Sequence, residues 1–175
     1  MAQSWKHPQF GRFEHDGLAW VGKVQAPGFN VCSFVPGRSV TQPPDGTYEL
    51  TFDADDDSEF PSQAMIQLIE RFLSRQNELP LAIGAAVWKA FRAEDLAGGF
   101  EDEHLKPPTG PADLLRGLRL NQIAVRGEAD GYSEPVIELS FWAAYDREHD
   151  LGVLTDGQRV RGIGGAADVV PFDDE

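Results

Sequence analysis

A chain of 175 residues falls within the ~100–200 residues of one domain, and its 41% hydrophobic share excludes wholesale disorder and allows a real core. Against 29 Asp and Glu there are 15 Lys and Arg, a formal charge of −14 that repels phosphate backbones and anionic lipid, so neither nucleic acid nor membrane is an expected partner. Cys32 is the one cysteine and admits no intramolecular disulfide; with no apolar run of membrane or signal-peptide type, this points to the cytoplasm.

In chain order, the first module reads as β. Residues 10–15 and 18–24 flank Asp16-Gly17, a two-residue signal for a type I′ hairpin, with Leu18, Trp20, Gly22 and Val24 on one face of the second strand. The His7-Pro8-Gln9-Phe10 segment is read as running straight into the first strand. Pro27-Gly28 turns the chain into a third run, 29–35. Tyr48, Leu50 and Phe52 alternate with Thr47, Glu49, Thr51 and Asp53, the pattern of a half-buried strand.

Two helices follow. Met65, Leu68, Ile69, Phe72 and Leu73 share one stripe, and Ser58 with Pro61 marks the start of that helix. The second helix begins near Asn77, with Pro80 in its first turn. It carries Leu79, Ile83, Ala86, Val87, Ala90 and Phe91 on one stripe and Leu81, Ala85 and Trp88 on another. Apolar nearly all round, it is expected to lie between two layers. Residues 93–117 are broken by Gly98-Gly99, Pro107-Pro108 and Gly110-Pro111, a long connection of the kind that carries function.

The last module is β again: a weak strand at 120–125, then 136–145 with aromatics on both faces, as befits an interior strand. Residues 146–150 connect it to 151–155, and Asp156-Gly157 turns the chain into 158–163 as a second two-residue hairpin. The expected architecture is α+β, a single domain whose mostly antiparallel sheet, drawn from the N- and C-terminal β modules, packs on the two central helices. Its parts are a β module at 1–54, a helical pair at 58–92, a loop at 93–117, a β module at 118–164 and an acidic tail at 165–175. Trp20, Phe52, Phe72, Ile83, Val87, Leu139 and Phe141 are expected in one core.

The densest charge is Asp53, Asp55, Asp56, Asp57 and Glu59. Its alternating acids copy the start of a calcium loop, but Ser58 stands where glycine is needed and Ala64 where the closing glutamate is needed. Solvated acids before a helix are the better reading. With Glu101, Asp102 and Glu103 they make the expected surface for a basic protein partner. Asp146, Glu148, His149, Asp150 and Asp156 crowd a strand-to-strand connection. Asp146, Glu148 and His149 are the catalytic candidates and, with Asp156, the metal candidates, because a His among carboxylates suits a divalent ion or an oriented general base. That crowding predicts a carboxylate of Asp146, Glu148 or Asp150 within hydrogen-bond reach of His149. No cofactor is expected: Gly162-Ile163-Gly164-Gly165 lacks the strand-to-helix unit of a dinucleotide site. Cys32 reads as a small buried hydrophobe.

Two stretches resemble a bacterial family of domains of unknown function. One comprises His7-Pro8, Phe10-Gly11, Gly17-Leu18, Trp20, Gly22, Val24 and Pro27-Gly28-Phe29. The other is 142–152 with Asp146 and Glu148-His149, followed by Gly162-Ile163-Gly164. The likeness covers most of the chain and implies β modules at both ends with helices between. Related small acidic domains accompany toxin systems, so it implies an immunity-like or accessory binding role rather than catalysis; it carries no catalytic set. The alternative is a metal-binding or hydrolytic domain using 146–156. A housekeeping domain whose charge serves solubility is the third class.

Overall fold

The computed structural model describes residues 3–37, 40–54, 60–91, 106–127, 130–167 and 169–172, the side chains of 147–149 excepted. Eight strands lie in one sheet in chain order: β1 (Ser4–His7), β2 (Gly11–His15), β3 (Ala19–Gln25), β4 (Thr47–Asp53), β5 (Leu118–Arg126), β6 (Val136–Ala143), β7 (Asp146–Thr155) and β8 (Val160–Gly164). Every pairing is antiparallel except that of β4 with β5, which run parallel. Parallel neighbours need a crossover. The helices α1 (Gln63–Ser74), α2 (Leu79–Ala90) and the short α3 (Pro111–Leu114) occupy it. The result is an α+β fold dominated by its sheet.

Strand alternation sorts the side chains between the two faces. Trp20, Phe52, Leu139 and Phe141 enter one buried cluster together with Phe72 of α1 and Ile83 and Val87 of α2. Phe29 stacks on Phe72 with ring centroids 5.4 Å apart. The opposite face of the central strands carries Glu49, Thr51 and Asp53 beside Gln122, Ala124 and Arg126.

Several local expectations give way to longer-range forces. The first strand of the sheet is β1, and Pro8-Gln9-Phe10 turns it into β2 instead of running on. The 29–35 run is a 3₁₀ turn over Pro27–Val31 followed by irregular chain; the turn delivers Phe29 to the core and leaves Cys32 buried. Leu18 falls outside β3 and is 81% exposed. The weak 120–125 strand is the nine-residue β5, central in the sheet, because pairing on both sides outweighs its polar residues. α1 starts at Ser62, whose Oγ accepts from the Met65 N–H at 3.3 Å, not at Ser58. α2 does not lie between two layers, since Leu81 is 58% exposed and Ala85 is exposed.

Neither Asp-Gly hairpin is type I′, which requires positive φ at both central residues. Only the glycines have it, φ 107° at Gly17 and 81° at Gly157. Each aspartate instead closes the turn with its side chain. Asp16 Oδ1 accepts from the N–H groups of Leu18 (2.9 Å) and Ala19 (3.0 Å), and Asp156 Oδ1 from those of Gln158 (2.9 Å) and Arg159 (2.8 Å). These bonds to charged Asp16 hold its carboxyl below the usual aspartate range.

The chain after β8 folds back over the sheet. Val169 packs with Val136 and Leu154, and the Phe172 N–H donates to the Arg161 carbonyl oxygen at 2.6 Å. Glycine in β8 makes this approach possible, because a Cβ on Gly162 would sit 2.2 Å from the Val170 carbonyl oxygen. Gly162→Val should therefore lift 169–172 off the sheet and cost ~1–3 kcal/mol, as other overpacked sites do. Faster amide exchange at Phe172 together with a lower denaturation midpoint would report it; wild-type exchange there would show that the contact is slack.

Candidate functional site

The parallel register sets Phe52 of β4 beside Val125 of β5. The next residues, Asp53 and Arg126, therefore stand together at the carboxyl ends of the two strands. In β6, Glu138 lies opposite Ala124, one diagonal step from Arg126. Alternation turns these polar residues away from the core that Phe52, Val125, Ile137 and Leu139 fill.

The three side chains form one ionic group. Arg126 Nη1 donates to both oxygens of Asp53, at 3.1 and 3.0 Å, and Arg126 Nε donates to Glu138 Oε2 at 2.9 Å. All are partly shielded, with side-chain exposures of 15% for Asp53, 13% for Glu138 and 30% for Arg126. Asp130, exposed on the β5–β6 connection, adds to the upward push on the Asp53 carboxyl. Tyr132 follows it, its hydroxyl pushed up by burial and then by the charge of Glu138.

Two carboxylates thus share one guanidinium. Burial, followed by Asp130, pushes Asp53 up to about 7, against the opposing hydrogen bonds and charge of Arg126. Burial disfavours the charge on Arg126, but Asp53 and Glu138 outweigh it and raise its value. A shielded carboxyl poised near neutrality beside a fixed cation can hold or release a proton, and it can present surplus negative charge to a cation.

Of the candidates read from sequence, Asp53 belongs to this group. Asp55, Asp56, Asp57, Glu59, Glu101, Asp102 and Glu103 lie outside the described residues. Asp146 and Asp150 do come together. Ala144-Tyr145 turns β6 into β7, and the ladder then jumps from Ala143↔Asp146 to Phe141↔Leu151, so 147–150 bulge from the strand. Asp150 takes a left-handed conformation there, φ 53°. Both aspartates line a cavity of about 420 Å³ with Phe91, Tyr145, Ile163 and Gly164. Burial, and then the charge of Asp146, push the Asp150 carboxyl up, opposed by a hydrogen bond from the Ala143 backbone. Asp156 is elsewhere, just past the far end of β7; with the bulge discounted, the ladder from Ala143 to Ile137 puts it ~20 Å along the strand at ~3.3 Å per residue. The side chains of Glu148 and His149, and with them the expected His149–carboxylate contact, lie outside what is described. Among the described residues no group of three or more His, Cys, Asp or Glu is placed to hold a metal. Cys32 is buried, which pushes its thiol up to about 12 and leaves it a packed apolar side chain.

Sequence reading missed Arg126, Asp130 and Glu138. The available signal was Glu138 itself, an acid between Ile137 and Leu139 in a strand read as interior, since a shielded carboxylate there requires a partner.

The chain thus has a sheet-dominated α+β fold with an ionic group at the ends of its two parallel strands. Residues 9–170 match the model of the family described as domain of unknown function DUF6985, and the chain belongs to that family. Comparison with curated proteins and comparison with solved structures each give no match.

Proposed function

We propose that the chain is a non-catalytic, protein-binding domain of the immunity or accessory kind, working in the cytoplasm and engaging a basic protein partner through acidic surface at the ends of β4 and β5. The observation that carries this reading is the charge imbalance there. Asp53 and Glu138 meet a single guanidinium, and Asp53 leads directly into Asp55, Asp56, Asp57 and Glu59. Over residues 39–70 the sequence has eight acids and no Lys or Arg, and over 93–105 it has five and again none. Concentrated charge of one sign raises the rate at which an oppositely charged partner docks. A metal-binding or hydrolytic domain using 146–156 is the second reading. It draws on the cavity that Asp146 and Asp150 share.

The test uses an arginine-rich peptide as probe, with association followed by fluorescence anisotropy. Its association rate should fall by about tenfold or more as ionic strength rises from ~0.02 to ~0.3 M. Lysine at Asp55, Asp56 and Asp57 should slow association far more than lysine at Asp45, Glu70 and Glu78, which changes net charge equally. Equal effects of the two sets, or a rate indifferent to salt, would leave the acids as solubility devices.

A further inference from the structure

At the opposite end of the sheet from Asp53 and Arg126, the C-terminus of α2, the β6–β7 turn and β8 border the cavity of about 420 Å³. Its walls divide by chemistry. Phe91 and Tyr145 form an aromatic corner, ring centroids 6.0 Å apart and planes at 52°, and Leu151 and Ile163 continue it as aliphatic surface. Asp146 and Asp150 supply the carboxyl groups. The bulge in β7 returns the chain through the left-handed Asp150 and so sets that residue at the cavity beside Asp146.

Each wall favours a positive charge carried on a hydrocarbon stem. Carboxylates accept hydrogen bonds from an ammonium group, which is a donor only. Aromatic faces attract the same charge through their quadrupole, and a hydrocarbon stem packs against them. The negative end of the α2 dipole lies at Ala90, on the rim. Burial and the charge of Asp146 oppose ionisation of Asp150, and a bound cation relieves both. A divalent metal suits these walls less, because hard ions collect six or more oxygen ligands and much of this lining is hydrocarbon.

We propose that this cavity binds a small organic ammonium ion, with its charge at Asp146 and Asp150 and its stem along Phe91, Leu151 and Ile163. The volume of about 420 Å³ lies within the ~300–1,000 Å³ of small-molecule sites. Such binding requires no protein partner, no metal and no catalytic step, so it stands apart from both readings above.

Hexylammonium is the probe, titrated into the full chain at neutral pH and followed by the amide ¹H and ¹⁵N shifts of Leu151, Ile163, Gly164 and Gly165. Saturable shifts are expected at these residues, with hexanol and hexanoate binding at least about tenfold more weakly. Asp150→Asn should weaken hexylammonium by about tenfold, since asparagine tolerates the left-handed conformation and removes only the charge. Asp45→Asn, at an exposed acid elsewhere, should leave the affinity unchanged. Hexanol binding as tightly as hexylammonium would reduce the cavity to an apolar crevice and overturn the proposal, as would the lack of saturable shifts. Equal losses in the two variants would also overturn it, by assigning the attraction to net charge. Magnesium that shifts the same amides and displaces hexylammonium would overturn it in favour of the metal-binding reading. The arginine-rich peptide reports on the other end of the sheet, so the two experiments can fail separately.

Discussion

Truncating Phe72 to alanine should destabilise the protein by ~3–5 kcal/mol, the range for removing a fully buried aromatic ring. Phe72 has no exposed surface and stacks on Phe29 at 5.4 Å. The hairpin at Gly157 closes over its backbone, where a Cβ on that glycine would lie 3.1 Å from the Phe72 nitrogen. The site is therefore walled by helix, 3₁₀ turn and β7–β8 hairpin, and relaxation into the vacated volume would have to move all three. A urea melt with unchanged slope and a correspondingly lower midpoint is the expected outcome. A loss under about 1 kcal/mol would mean that the core collapses readily onto α1 and that the packing is looser than the contacts require.

Replacing Arg126 with alanine should give the other large effect, and one that depends on pH. It leaves Asp53 and Glu138 without the cation between them. Arg126 is 30% exposed, so the loss should reach ~2–3 kcal/mol above neutral pH, short of the ~3–5 kcal/mol of a fully buried pair. In the native protein Asp53 is raised from an ordinary 3.8 to about 7. A carboxyl raised on folding contributes stability at acid pH, and that contribution is lost as pH climbs from about 4 to about 7, the reverse of a salt-bridged aspartate with a lowered value. Without Arg126 the protonated form is favoured further, so the deficit should shrink towards pH ~4, where protons replace the missing cation. Chemical denaturation of both proteins across that window measures it. A deficit independent of pH would show that Arg126 acts through packing of its stem, not through its charge.

Much of the fold was legible because its signals are local. The alternation of Tyr48, Leu50 and Phe52 marks β4, the stripe of Ile69 and Phe72 marks α1, and the residues expected in the core do form one cluster. The errors share a cause. The 29–35 run has strand-like composition, but it enters as a 3₁₀ turn that stacks Phe29 on Phe72, and past the turn the Phe34 N–H donates to the Leu118 carbonyl oxygen without a strand being formed. α2 carries apolar residues on two faces, yet only the one that meets the sheet and α3 is buried. The Asp-Gly dipeptides do mark turns, but the aspartate side chain supplies the closing bonds that a type I′ backbone would not need.

The candidate site follows the same division. Asp53 stood out in the sequence because it opens an acidic run, and Asp146 and Asp150 because they crowd a short connection; both features are visible in a few consecutive residues. By itself the sequence determined which residues alternate, which carry charge and where the chain turns, since each of these depends on neighbours within a few positions. Only the tertiary structure decided that β4 and β5 lie side by side in parallel, a choice made by how the intervening helices cross back over the sheet. That one register brings Arg126 within 3.1 Å of a carboxylate 73 residues earlier in the chain. The pairing of β7 with β6 likewise sends Asp156 to the opposite end of the strand from Asp146, because extended chain separates charges that a compact loop would have kept together.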